Sequence, residues 1–249
     1  MPAISGPFAK SLARPLDLVS IACSLLTNAA ADWHGSRTCK QSDNASMTRR
    51  PGLADYEGIA VPPLVHAAVE ATRAAGYPLA CTSEVGRLLH LLAAHQPGGR
   101  LGELGTAYGV GAAWLATGMC AGARLHTVEI DAGRASAATA LFADRSDVIV
   151  IRGDWSHMRT YAPFDLLFSD GGPKREPEAP TLLRPLLRPG GLLVLDDYTP
   201  ESAWTEEQRK SYQNDVSRRI WLENPEWSAQ ELQLSKDISV ILAVRFDEA

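Results

Sequence analysis

Glu-Leu-Gly-Thr-Ala-Tyr-Gly-Val-Gly-Ala-Ala-Trp-Leu-Ala, residues 103–116, follows a short apolar run and opens a helical pattern. Gly105, Gly109 and Gly111 let a strand-to-helix turn bend tightly and bring bare backbone close to a ligand. In a doubly wound sheet such turns lie at the carboxyl ends of the strands, where ligands bind. This segment therefore predicts both a fold and the edge of the fold that carries the chemistry.

Upstream, Val85, Leu88, Leu89 and Leu92 recur at helical spacing behind the capping candidates Thr82 and Ser83, and Gln-Pro-Gly-Gly at 96–99 ends that helix. Downstream, short apolar runs end in acidic or glycine residues at 100–105, 124–131, 148–154, 164–170 and 192–197. These predict five strands, and the helical segments near 110–120, 132–143, 156–161 and 177–188 are the crossovers that parallel pairing requires. After a helix expected over 203–222, strand-like runs at 226–234 and 237–245 are separated only by Ser-Lys, a link short enough for an antiparallel hairpin. The expected fold is α/β, a Rossmann-like doubly wound sheet of five parallel strands plus a C-terminal hairpin, with helices on both faces.

Bulk properties narrow the function. The 249 residues are 45% hydrophobic and 21% charged, a globular balance, and a net charge of −5 without a Lys/Arg stripe argues against a nucleic-acid partner. Cys23, Cys39, Cys81 and Cys120 lack zinc or disulfide spacing, which fits a cytoplasmic protein. The apolar run Leu18–Leu26, behind Lys10 and Arg14, loosely copies a secretory signal but is far short of the roughly 20 residues that span a bilayer, so no membrane partner is expected. Residues 1–50 are expected to be a poorly ordered extension, with Met47 an alternative start. Residues 51–80, with a helix over 63–75, are expected to form a lid or homodimer segment before a domain at 81–249.

Two cofactor classes compete for the glycine turn. A dinucleotide fingerprint places its third glycine where Trp114 stands, and an indole there should clash with the strand. The spacing is instead ExGxxxGxG, and a carboxylate at Glu103 suits a cofactor bearing an ammonium group better than a pyrophosphate. Glu129 ends the second strand, placed for both hydroxyls of a ribose. Asp154 after the third is placed for an adenine amino group, with Trp155 as a stacking wall. Singly, Asp154 reads equally as a helix cap and Trp155 as core; together, closing successive strands, they point to S-adenosylmethionine. Thr106 and Asp170 complete the expected cofactor set.

Asp170 ends the fourth strand, and Asp196 and Asp197 the fifth. Neighbouring strands lie about 4.8 Å apart, so three carboxylates there ask for a hard divalent cation such as Mg²⁺, which would lower the pKa of an acceptor hydroxyl. The alternative is that they only cap helices and turns. Lys174 reads as a general base or as a solvated loop charge, and His157 as a surface or capping residue.

With Ser-Glu-Val-Gly-Arg-Leu-Leu at 83–89, these motifs resemble the class I O-methyltransferases, especially bacterial small-molecule enzymes related to catechol O-methyltransferase, over residues 80–246. The resemblance implies the five-strand sheet with terminal hairpin, Glu103 and Gly105 near the methionine part, Glu129 on ribose, Asp154 and Trp155 around adenine, and Ser83 and Glu84 on an entrance helix. Metal ligands in that family are an Asp and an Asp-Asn pair; Asp196-Asp197 is closer to the macrocin-type sugar enzymes. Lys174 lies one residue further from Asp170 than the catechol-type lysine. The expected function is methyl transfer from S-adenosylmethionine to a hydroxyl of a small molecule, with Asp170 and Lys174 catalytic and Asp170, Asp196 and Asp197 holding the metal. The alternatives are a metal-independent N-, C- or protein methyltransferase, a non-catalytic binding regulator, and, third, a nicotinamide dehydrogenase.

Overall fold

The computed structural model describes residues 56–207, 209 and 216–246, so the extension expected over 1–50 lies outside the described residues. Two helices, α1 (Pro63–Ala74) and α2 (Ser83–Ala94), precede the sheet. Then follow β1 (Arg100–Leu104), α3 (Val110–Gly118), β2 (Arg124–Glu129), α4 (Ala132–Leu141), β3 (Val148–Arg152) and β4 (Phe164–Ser169). The chain closes with α5 (Ala179–Leu183), β5 (Leu187–Tyr198), α6 (Val216–Leu222), β6 (Trp227–Gln233) and β7 (Ser239–Arg245).

The strands form one sheet in the order β3-β2-β1-β4-β5-β7-β6. The first five pair in parallel, while β7 runs antiparallel between β5 and β6. The order reverses between β1 and β4, which makes the gap above their carboxyl ends the switch point of the sheet. There Asp170 N donates to Leu104 O at 3.0 Å, and a Cβ on Gly105 (φ 97°) would meet Gly171 N at 3.1 Å.

Alternate strand residues feed two apolar layers, as period-2 side chains must. On one face Leu101, Leu125, Leu166 and Phe168 pack with α1, α2 and α3 through Val65, Leu89, Trp114 and Leu115. On the other, Leu104, Val128, Leu167 and Leu193 pack with Leu183, Leu186, Trp221 and Trp227. Helix α1 thus shares one core with the sheet, through Val65, Ala68 and Val69, and no second core begins near residue 80.

Four expectations are revised. Strand β5 starts at Leu187, not Leu192, because Pro189-Gly190-Gly191 is absorbed into the strand beside a register shift against β4. The crossover expected over 177–188 shortens to Ala179–Leu183 and a 3₁₀ turn at Arg184–Leu186, and the one near 156–161 is a 3₁₀ helix, Trp155–Thr160. Within the helix expected over 203–222, Glu206, Glu207, Arg209 and Val216–Leu222 are helical, behind a 3₁₀ turn at Glu201–Ala203, while residues 208 and 210–215 lie outside the described residues. The clash predicted for Trp114 does not arise, because the indole faces α2 rather than the strand. It fills the groove left by Gly86 and donates from Nε1 to Tyr56 Oη at 2.9 Å, while Gly111 is the residue that lets α3 approach Glu103 and Phe168.

A Cβ at position 86 would fall 2.1 Å from the indole of Trp114, which is buried. Gly86→Ala gains about 1 kcal/mol of helix propensity, but overpacking a core usually costs about 1–3 kcal/mol or more. A net destabilisation of about 1–2 kcal/mol is expected in urea unfolding; an unchanged midpoint would show that the indole relocates freely.

Candidate active site

Above the switch point lies a cavity of about 650 Å³. Its wall includes Gly105, Glu129, Asp154, Trp155, Asp170, Asp196 and Asp197. The structure thus brings together the acidic residues predicted at the ends of β2, β4 and β5 and after β3. Glu103, Thr106, Gly109, Gly111, Ser83, Glu84, His157 and Lys174 are not part of that wall; Thr82 is.

Glu129 is nearly buried and its carboxylate is already held. Oε2 accepts from Ala107 N at 2.8 Å, and Oε1 from Asp131 N at 2.8 Å and Arg134 Nη2 at 2.7 Å. A carboxylate offers about four acceptor positions, so one remains for a ligand hydroxyl while Arg134 stays in place. Arg134 also lies over the Tyr77 ring, 5.4 Å from its centroid, and Tyr77 contacts Tyr108 at 5.5 Å. Tyr77 and Arg134 both line the cavity and were not found from sequence, since neither stands at a motif position. The same holds for Leu79 and Ile130, 62% and 71% exposed at the cavity wall, where apolar surface open to water suits a flat ring.

Asp154 is the helix cap that the sequence allowed, its Oδ1 accepting from Ser156 N at 2.7 Å, and it stands on the cavity wall. Bonds from Ser156 hold its pKa below the usual value. Trp155 lines the wall with Arg159 stacked 5.4 Å from its ring. His157 lies outside, exposed, its Nδ1 3.1 Å from the Asp154 carbonyl.

Behind the wall, Glu103 is 1% exposed and accepts a hydrogen bond from the Thr127 hydroxyl, which in turn contacts Thr106 Oγ1. Burial pushes its pKa from 4.5 to about 8, with the Thr127 bond opposing.

At the other end, ligand oxygens of Asp170, Asp196 and Asp197 lie within 4.8 Å of one another. Desolvation raises the pKa of Asp170 well above its usual value, with Asp196 adding to it. Desolvation and then Asp197 push Asp196 to about 6. Asp197 has φ 67°, and its N–H donates to Asp196 Oδ1 at 2.7 Å, a tight turn that aims both side chains at one place. Lys174 is neither a solvated loop charge nor a wall residue. It is buried, Nζ lies 2.7 Å from Asp197 Oδ2 and 3.8 Å from Asp170 Oδ1, and its carbonyl accepts from Trp221 Nε1 at 2.9 Å.

Residues 103–198, the stretch from β1 to the end of β5 that builds most of this cavity, match the family of methyltransferase domains. Over this segment the chain is similar to methyltransferase domains. A Mycobacterium tuberculosis protein named as an O-methyltransferase is 34% identical over 123 residues, and a Mycobacterium avium one 32% over 130, each alignment covering 47% of this chain. The chain spans about half the length of these curated relatives, 55% in both cases. Among solved structures, the O-methyltransferase of Bacillus cereus in complex with SAH is 25% identical with a TM-score of 0.62, covering 76% of this chain and 93% of its own. The Streptomyces achromogenes O-methyltransferase of tomaymycin synthesis, in complex with SAM, shares the fold at 22% identity and the same TM-score, covering 78% and 94%. The class I methyltransferase fold expected from sequence is therefore the observed one. No helix among the described residues is long and apolar enough to cross a membrane.

Glu103 yields a prediction about pH. The unfolded chain loses this proton above about pH 4.5, whereas the folded chain keeps it to about pH 8. Folding thus holds the extra proton in that window, and stability falls as pH rises through it, on the order of 1 kcal/mol per unit. Glu103→Gln should flatten that slope and be more stable than the parent at pH 8. Parallel urea curves for the two proteins at pH 5 and 8 would exclude the buried neutral acid.

Proposed function

We propose that the protein transfers a methyl group from S-adenosylmethionine to a hydroxyl of a small molecule, with a divalent metal at Asp170, Asp196 and Asp197. The observation that carries the reading is one cavity with two chemically distinct ends, joined across the switch point. One end offers Glu129 and Asp154 with the apolar surfaces of Trp155, Ile130 and Leu79; the other offers three carboxylates.

Each end fits its proposed occupant. Glu129 keeps an acceptor position for a ribose hydroxyl, and Asp154 and Trp155 supply an acceptor and a ring face for adenine. The donor set at the other end is all oxygen, as hard cations require. Asp170 and Asp196 are pushed upward in pKa, first by desolvation and then by the neighbouring carboxylates, with Lys174 opposing. A divalent ion there supplies the positive charge that makes an acceptor hydroxyl more acidic.

The protein's own part is mainly positioning. Direct displacement at a methyl group needs nucleophile, carbon and leaving sulfur in line, and holding two reactants so is worth about 7–11 kcal/mol at best. Gly105 and Gly171 present backbone between the two ends of the cavity, leaving room for the groups that must meet there. Asp170, on the wall at the end of β4, orients the acceptor.

A metal-independent methyltransferase is the second reading, favoured by the Lys174 ammonium already seated against Asp197 and Asp170.

Two measurements test the proposal. Bonds from ribose hydroxyls to Glu129 are charge-assisted, worth about 1.5–3 kcal/mol each, so Glu129→Ala should weaken adenosylhomocysteine binding roughly 10- to 100-fold by calorimetry. No binding to the parent protein would end the assignment. Methylation across a library of small hydroxyl compounds should cease with EDTA, return with Mg²⁺, and fall about 100-fold or more in Asp196→Ala. Turnover that survives EDTA and Asp170→Ala would select the metal-independent reading.

A further inference from the structure

Lys174 is the buried charge for which positioning of the reactants has no use. The Pro173-Lys174 segment is buried, the Lys174 carbonyl is fixed by the fully buried Trp221, and the side chain reaches Asp197 and Asp170 without joining the cavity wall. A group so placed does not touch an acceptor, which removes the reason to treat it as the base. It does touch the carboxylates from both strand ends, one on β5 and one just after β4.

We propose that Lys174 is the tethered counter-ion of the Asp170-Asp196-Asp197 cluster, holding it together without metal and opposing a divalent metal at Asp197. The inference rests on the metal reading above. Three carboxylates gathered within 4.8 Å, one of them buried, repel one another, and Lys174 is the cation that the described structure places against them. Arg175 reaches the same turn but spends its Nη2 on the Asp197 carbonyl, at 2.6 Å, leaving the carboxylate to Lys174. A divalent ion held by the same Asp197 carboxylate would stand close to Nζ, and two like charges sharing one carboxylate repel each other. The ammonium cannot diffuse away, because its backbone is pinned by Trp221 on α6 and its stem is buried. Lys174 therefore lowers metal affinity while keeping the ligand oxygens assembled, a positioning residue rather than a catalytic one.

The test uses the full chain and Mn²⁺ alone as probe. Free Mn²⁺ is followed by electron paramagnetic resonance for the parent, Lys174→Met and Lys174→Arg, and thermal midpoints are recorded with EDTA and with saturating Mn²⁺. Lys174→Met should bind Mn²⁺ about tenfold or more tightly than the parent, melt lower than the parent in EDTA, and gain more in midpoint from Mn²⁺. Lys174→Arg keeps the charge and should stay near the parent in affinity, which separates loss of charge from loss of packing. Equal or weaker Mn²⁺ binding by Lys174→Met, with the parent binding well, would overturn the counter-ion role and leave the metal reading standing. No Mn²⁺ binding by any of the three proteins would overturn both. Should Lys174→Met fail to fold, Asp197→Asn serves instead: it removes the nearer of the ammonium's two carboxylate partners, so a further Lys174→Arg change, which keeps the charge, should leave Mn²⁺ affinity unaltered, and a large change would sink the proposal.

Discussion

The carboxylates of Asp170, Asp196 and Asp197 stand where β4 and β5 end, and parallel pairing of those strands leaves them no way to separate. Charge of one sign, gathered at fixed spacing around the buried Asp196, is the constraint to which the surrounding structure answers. The left-handed turn at Asp197, the bond from its N–H to Asp196, the buried Lys174 and the pinning of that residue by Trp221 all act on this one corner. Pairing a buried charge is what makes its burial tolerable.

The other end of the cavity solves a milder problem by similar means. Glu129 is at least as buried as Asp196, yet backbone N–H groups from the β1–α3 turn and the start of α4 hold it, with Arg134 as counter-charge. Glu103, one strand over, has a hydroxyl for company and no cation, and is held as the neutral acid up to about pH 8. Three acids within one sheet thus reach three different electrostatic states, set by what faces each.

Much of this was legible in the sequence for a simple reason. Buried parallel strands read as apolar runs, and each here is punctuated by the acid or glycine that leaves the sheet, so the strands and the functional edge appeared together. The start of β5 was hidden because Pro-Gly-Gly reads as a turn, whereas the strand absorbs it beside an irregular pairing. Trp114 was misjudged because the direction of a helical side chain depends on which neighbour offers space, and that space came from Gly86, 28 positions away. Lys174, in a loop of Pro, Arg and Glu, gave no sign of burial; only the fold brings α6 over it. Tyr77 and Arg134 escaped because their pairing joins segments with no shared motif.

Asp237 and Ile238, in the turn between β6 and β7, reach the cavity from the far end of the chain. That turn belongs to neither the glycine loop nor the acidic strand ends, and hairpin turns accept changes of length with little penalty to the sheet. Remodelling a few residues there would therefore reshape one wall of the cavity while leaving the glycine loop and the row of acids as they are.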